Sequence, residues 1–420
     1  MFNPAKDRPR PDLLWVPPDD LEKLTKAHAS FIKSLSEISP PYFEPGSRGI
    51  AMTAGVRELP VLMISLRMLR RLGCSLPVEV FISTDANYDP RICEDKFKGL
   101  NAKCILLIDI TRAAETGVTM EKYQFKMMAL LFSSYEEVML LDSDAFPTSD
   151  PSFVFDSEPF VSSGLIVWPD FWYASESPYY FTIANLGVPQ PLNTRPSSES
   201  GQLMVSKSKH ASTLMLAAYY NNYGPEYYYP LHSQGGPGQG DKETFHLAAT
   251  VLNNSFHFVH EPVIALGHVD SNGAFFGSAM GQHDPVEDYI RLQRTPENET
   301  EFGAPQQRPQ TAPVFHDPKA TPKPLFIHAN FPKFDPANIF QYETQKKGTV
   351  GPTFDSNDTA VRTWMPPAEM ERMFGFDIER VFWEEIEHVG CTLETVFRAW
   401  EGKKDICYGV QKYREVVFPT

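Results

Sequence analysis

The stretch "VMLLDSDAFPTSDP", Val138–Pro151, runs an apolar segment straight into two aspartates one residue apart. A continuous apolar run marks a strand covered on both faces, as in a parallel sheet. A carboxylate inside such a strand would be costly, so the chain is predicted to leave the core at Asp142. Asp142 and Asp144 then stand at the lip of the sheet, with Pro147 and Pro151 fixing the chain just beyond.

Upstream, the same logic repeats. "GIAMTAG" reads as a strand, "ELPVLMISLRMLRRLG" as a helix ending at Gly73, and "VEVFIST" as a second strand. "AKCILLIDI" is a third strand and "EKYQFKMMALLFSSY" a helix, which makes "VMLLD" the fourth strand. Strands alternating with helices of this length predict parallel βαβ units and a Rossmann-like α/β sheet. Ligands of such sheets bind beyond the carboxyl ends of the strands, where Asp142 and Asp144 emerge.

The organisation predicted is a proline-rich N-terminal extension (1–48) around a helix near Asp19–Leu35, a main domain (49–340) and a C-terminal helical appendix (341–420). After Pro151 come the aromatic "GLIVWPDFWYASESPYYF", a turn and strand in "SSESGQLMVSKSKH" and the helical "HASTLMLAAYYNNY". A glycine-rich loop, "SQGGPGQGDKETF", leads into a further helix, and "KPLFIHANFPKF" returns as a strand ending at His328. Residues 294–324, polar and rich in proline, read as a long surface loop.

With 420 residues and 42% apolar content there is ample material for a core, and the net charge of −15 argues against nucleic acid or an anionic membrane as partner. An acidic protein handling a phosphorylated ligand needs local cations or a metal. No stretch of 18 apolar residues exists and the N-terminus lacks a signal-peptide core. Cys74, Cys93 and Cys104 are expected to be core packing, with Cys391 and Cys407 a candidate pair. Sequons at Asn253, Asn298 and Asn357 are compatible with a lumenal protein.

Two carboxylates at i and i+2 can approach one divalent ion, and oxygen ligands suit Mg²⁺ or Mn²⁺ shared with substrate phosphates. An isolated Asp-x-Asp is weak evidence, because turn residues and solvated charges share the pattern. The apolar strand before it and "FIHANFPKF" downstream strengthen it: His328 can complete a site begun by Asp142 and Asp144, and Lys333 can neutralise a diphosphate. Lys126, flanked by apolar residues on its helix, is a candidate to point into the ligand edge. Asp241 reads as an N-cap able also to hold a hydroxyl ligand, and Glu199, Gly201 and Gln202 in "SESGQ" as sugar contacts or a turn. "WPDFW", Trp168–Trp172, offers aromatic faces to sugar rings or an ordinary core.

In order along the chain, "GIAMTAG", "LPVLMISLRMLRRLGCSLPVEVFI", "YQFKMMALLFSSYEEVMLLDSDAFPTSDPSFVF", "GLIVWPDFW", "SESGQLMVSKSKH" and "GDKETFHLA" resemble the fungal Golgi α-mannosyltransferases of glycosyltransferase family 71. The similarity runs from about Gly49 to Lys333. It implies a GT-A fold, GDP-mannose as donor, a glycan acceptor, Mn²⁺ (or Mg²⁺) as cofactor, α-1,2 or α-1,3 linkage and retention at the anomeric carbon. Asp142 and Asp144 match the family's Asp-x-Asp; His328 and Lys333 look like the C-terminal His and Lys of related enzymes. The resemblance places the protein in the Golgi lumen. Such enzymes are normally type II membrane proteins, so the chain is expected to be truncated or differently located, for instance cytoplasmic. The alternatives are a haloacid-dehalogenase-type phosphatase, with Asp142 as nucleophile, and a non-catalytic carbohydrate-binding relative. Because crowded carboxylates repel each other, Asp144→Asn is expected to leave the metal-free fold as stable as before, or slightly more so.

Overall fold

The computed structural model describes residues 1–113, 123–294, 321–340 and 351–419. An amphipathic helix α1 (Pro18–Ser34) leads into a seven-stranded sheet of order β3-β2-β1-β4-β7-β6-β8. Its parallel half is β1 (Glu44–Ala54), β2 (Val78–Ile82), β3 (Ala102–Leu106) and β4 (Tyr135–Leu141). Helix α2 (Leu59–Arg71) crosses from β1 to β2 and is almost wholly buried. Gly73, at positive φ, ends it. Arg70 then donates to the carbonyls of Cys74, Leu76 and Leu100.

The third predicted strand stops at Leu106, and its "LIDI" tail turns into helix α3 (Leu107–Ala113). Helix α4 (Gln124–Phe132) precedes β4. As the apolar run predicts, β4 is covered on both faces: Met139 and Leu141 enter one core, Val138 and Leu140 the other.

Beyond β4 the sheet departs from the parallel expectation. "SSESGQLMVS" is not a turn and strand but one long strand, β7 (Pro196–Ser206), antiparallel to β4 and to β6 (Leu165–Tyr173); β8 (His257–Phe258) closes the edge. Helices α5 (Lys207–Asn222) and α6 (Thr244–Val251) cover one face. A second, antiparallel sheet of order β5-β11-β10-β9 is built from β5 (Ala145–Pro147), β9 (Ile264–Val269), β10 (Phe275–His283) and β11 (Pro324–His328). Most of the expected 294–324 loop lies outside the described residues, as does the Asn298 sequon; Asn253 and Asn357 are exposed.

Helices α7 (Ile378–Thr392) and α8 (Ile406–Val417) send Phe382, Trp383, Ile386, Val410 and Tyr413 into the same core as Phe146, Phe326 and α2. No helix among the described residues is long and apolar enough to cross a membrane.

Cys93 is disulfide-bonded to Cys104, so these two are not free core cysteines as expected; Cys74 is free and buried. Cys391 pairs with Cys407 and ties α7 to α8 across a separation of 16 residues. Closing a loop of that length removes unfolded-state entropy worth about 3 kcal/mol. The Cys391→Ser/Cys407→Ser double variant is therefore expected to lose about that much stability in denaturant titration. An unchanged midpoint would show that the bridge contributes nothing.

Candidate active site

At the end of β4 the chain turns tightly, with the Ala145 N–H donating to the Asp142 carbonyl at 3.0 Å. The turn presents Asp142 and Asp144 together before β5 joins the second sheet. His328 ends β11 directly opposite Ala145, and the Ala329 N–H donates to the Asp144 carbonyl at 2.9 Å. The two sheets thus meet at three side chains. His328 Nε2 lies 3.2 Å from Asp144 Oδ1 and 3.8 Å from Asp142 Oδ2.

Around this centre stands a ring of charge. His328 Nδ1 is 3.2 Å from Glu199 Oε1, and Lys333, at the end of the turn after β11, pairs with Asp144. Lys126 reaches in from α4: its Nζ is 2.9 Å from Asp142 Oδ1 and 3.9 Å from Asp241 Oδ2, and donates to the Ser200 carbonyl and hydroxyl at 3.0 and 3.1 Å. Asp241 does not cap α6, as its position before the helix suggested; it accepts from Ser200 Oγ at 3.2 Å. Gly201 lets β7 approach His328, because a Cβ there would lie 2.4 Å from Nδ1. Gln202 is fully buried, with neither side-chain atom hydrogen bonded. The structure therefore brings together Lys126, Asp142, Asp144, Glu199, Gly201, Asp241, His328 and Lys333, which lie far apart in sequence.

Burial opposes every charge here, and the neighbours decide the outcome. For His328 burial disfavours the imidazolium, but Asp144 and Glu199 on its two nitrogens outweigh it and raise the pKa to about 10. Burial would raise Glu199, yet His328 and Lys126 lower it to about 2, while His328 and Lys333 likewise hold Asp144 well below the usual carboxylate range. Lys126 is raised despite burial by Asp142 and Asp241. Asp241 is the exception: burial and Asp142 prevail over Lys126 and lift it to about 6.

The donor set fits a divalent ion. Two ligands about 2.1 Å from one octahedral ion lie no more than about 4.2 Å apart, and both His328 distances fall inside that span. Asp144 Oδ1 is buried and faces only His328 Nε2, with no well-formed hydrogen bond, so its lone pair could turn to an ion once His328 has lost its proton. Two carboxylates and one imidazole are a mixed oxygen and nitrogen set able to hold a divalent ion. Two other carboxylate–imidazole groups occur among the described residues. In the Glu176–Glu243–His246 group both carboxylates are already paired with Arg195, and Glu176 also with Arg10, while the Asp288 carboxylate beside His257 and His260 already accepts the His260 and Glu261 N–H groups.

Two features escaped the sequence reading. Ser200 bridges Lys126 and Asp241, and a buried Lys242–Asp170 pair (2.7 Å) links the glycine-rich loop to "WPDFW". Of the aromatic faces expected there, Trp168 is core, donating to the His283 carbonyl, and Trp172 is exposed.

The mannosyltransferase family model Mannosyl_trans3 matches residues 47–195 and 191–284. The chain is 34% identical to Alpha-1,2-mannosyltransferase MNN21 of Candida albicans, over 93% of this chain and 64% of that protein. To Alpha-1,2-mannosyltransferase MNN2 of Saccharomyces cerevisiae it is 33% identical, over 78% of this chain and 63% of that one. It thus spans less than two thirds of the length of either relative. Among solved structures, the bifunctional glycosyltransferase WbbM is 10% identical with a TM-score of 0.35, covering 52% of this chain and 40% of its own.

Proposed function

Because the chain belongs to the Mannosyl_trans3 family of mannosyltransferases, we propose that it moves mannose from GDP-mannose to a mannose-terminated glycan, forming an α-1,2 or α-1,3 linkage with retention. The observation that carries the reading is the convergence of Asp142, Asp144 and His328 where two sheets meet. Membership of this family displaces the phosphatase reading, and the relatives' names support an α-1,2 linkage.

Asp142, Asp144 and His328 would hold Mn²⁺ or Mg²⁺, with His328 giving up its proton. When bound, the ion supplies Lewis-acid stabilisation of the departing diphosphate. Lys333 and Lys126 would add positive charge at the same edge, and Glu199 and Asp241 would accept hydrogen bonds from sugar hydroxyls. In front-face transfer the anomeric C–O bond to the diphosphate breaks, the acceptor oxygen bonds to the same face, and its proton passes to the departing phosphate oxygen. Glu199 is tied to His328 and Lys126 to Asp142, so the walls are preorganised. The reading carries with it a Golgi-lumenal setting, which the two disulfides support because they persist in oxidising compartments.

A nucleotide-sugar panel with Mn²⁺, with and without mannose-terminated acceptors, tests this. GDP-mannose is expected to release nucleotide fastest, Mn²⁺ to outperform Ca²⁺, and excess EDTA to stop turnover. Faster reaction of UDP-glucose or UDP-galactose would overturn the donor assignment, and full activity in EDTA the metal.

A further inference from the structure

The tip of the β9–β10 hairpin, "GHVDSNGAFFG" (Gly267–Gly277), has no part in the site just described. Strand β9 pairs with β10 and serves as a ruler. Ala265 is opposite Met280, which is opposite His328, while Val269 is opposite Phe275. Paired residues of antiparallel strands share a face, and alternate residues of one strand do too. Phe275 and Val269 therefore stand on the same face as His328. Counted along β9 they lie four residues further out, ~14 Å at about 3.4 Å per residue, β10 carrying one extra residue between Gly277 and Ala279. Phe276 pairs with His268 on the opposite face, where its ring stacks with Phe331.

Phe275 is 53% exposed and Val269, its cross-strand partner, 63% exposed, so the two form a small apolar patch on this face. The ring is nevertheless held in place. It lies against two glycines: a Cβ at Gly267 would come 2.7 Å from its Cζ, and one at Gly277 would come 3.2 Å from Cε1. The hairpin tip is clamped to the segment around residue 356. Asn272 Nδ2 donates to Ser356 Oγ at 2.7 Å, Ser356 Oγ to Asp270 at 2.9 Å, and Asn357 Nδ2 to Ser271 Oγ at 2.6 Å. An exposed aromatic ring seated against two glycines on a hydrogen-bonded hairpin tip presents an apolar surface at little cost in ordering when a ligand arrives.

We propose that Phe275, with Val269 beside it, is an acceptor subsite that stacks a pyranose ring of the glycan beyond the sugar that receives the new residue. The inference rests on the proposed glycosyl transfer. The site's continuity with the platform, on one sheet face and at a distance longer than a single sugar, favours a carbohydrate chain over any other occupant. The neutral face of a pyranose also suits an apolar platform better than a charged ligand does.

The test compares kcat/KM for an α-mannotriose with that for methyl α-mannoside. Phe275→Ala is expected to lower this ratio about tenfold, the loss of one good aromatic contact, while Phe275→Tyr keeps it. Phe331→Ala removes an equally exposed ring from the opposite face and should leave the ratio as in the wild type. A Phe275→Ala ratio within twofold of wild type, or an equal drop in Phe331→Ala, would overturn the subsite. So would a dimer that only the wild type forms in light scattering. If the wild type transfers to no mannoside, the functional reading fails instead, and NMR titration with mannotriose decides the subsite separately. Binding by the wild type that is lost in Phe275→Ala supports it, and no wild-type binding overturns it.

Discussion

Asp144→Asn is expected to slow transfer by roughly 10²–10³-fold or more, since it would remove a charged ligand from the ion site proposed to stabilise the leaving diphosphate. The geometry also reverses the expectation for metal-free stability drawn from repulsion between the two aspartates. Asp144 is buried between His328 and Lys333, so its charge is paired rather than crowded. Breaking a buried pair typically costs about 3–5 kcal/mol, and the ability of His328 to shed its proton should bring the cost to the lower end.

The pH dependence separates this account from a merely weakened fold. His328 is raised in the folded state, to about 10. Its contribution is therefore fully present below its unfolded pKa, roughly 6.5, and is lost as pH rises toward the folded value. The slope is at most about 1.4 kcal/mol per pH unit. Denaturant titration in EDTA at pH 7 and pH 9 should show a larger loss for wild type than for Asp144→Asn, which keeps Glu199 and the more distant Asp142 beside the imidazole. Lys333→Ala should be milder in rate, about tenfold, because Lys333 is half-exposed and a bound ion would neutralise the same charge. Near-wild-type transfer by folded Asp144→Asn, with Mn²⁺-dependent stabilisation by GDP intact, would refute the assignment.

Gly201→Ala should be nearly as damaging, by a steric route. The new Cβ would lie 2.4 Å from His328 Nδ1 and 2.9 Å from Glu199 Oε1. The backbone cannot easily retreat, because the Gly201 carbonyl accepts the Asp142 N–H at 2.9 Å and its own N–H donates to Glu199 at 2.6 Å. His328 must swing out of line, with an expected loss of at least ~10² in transfer and about 1–3 kcal/mol in stability. Gly99→Ala, where a Cβ meets nothing within 4 Å, is the control. In a His328→Ala background most of the stability penalty of Gly201→Ala should vanish, which a double-mutant cycle measures. A penalty unchanged by removing His328 would place the strain elsewhere.

The parallel half of the fold was legible because covered strands show as unbroken apolar runs, and "VMLLD" shows where such a run ends. Asp142, Asp144 and His328 were legible for the same reason: each sits at the carboxyl end of a strand. Lys126 was signalled by apolar neighbours on both sides. The second sheet was hidden because Gly267, Gly277 and Gly281 break the alternation in β9 and β10; at Gly267 any side chain would strike the Phe276 carbonyl at 2.1 Å. The Lys242–Asp170 pair left no local trace, since its partners are brought together only by the meeting of the glycine-rich loop and β6. The antiparallel pairing of β7 was likewise a matter of topology and not of pattern.

Strand β11 is gripped on both sides, by β5 and by β10, and its final residue sits level with Met280 and Ala145. Its register is therefore independent of the segment that feeds it. Doubling the length of a connection costs only about 0.6 kcal/mol, whereas slipping β11 by one residue would turn His328 to the wrong face. An inserted residue within Pro324–His328 would break the ladder that fixes His328, whereas that ladder is set without reference to the length of chain before it. The position of His328 is thus written in pairing partners that lie on either side of it and not in the chain that leads to it.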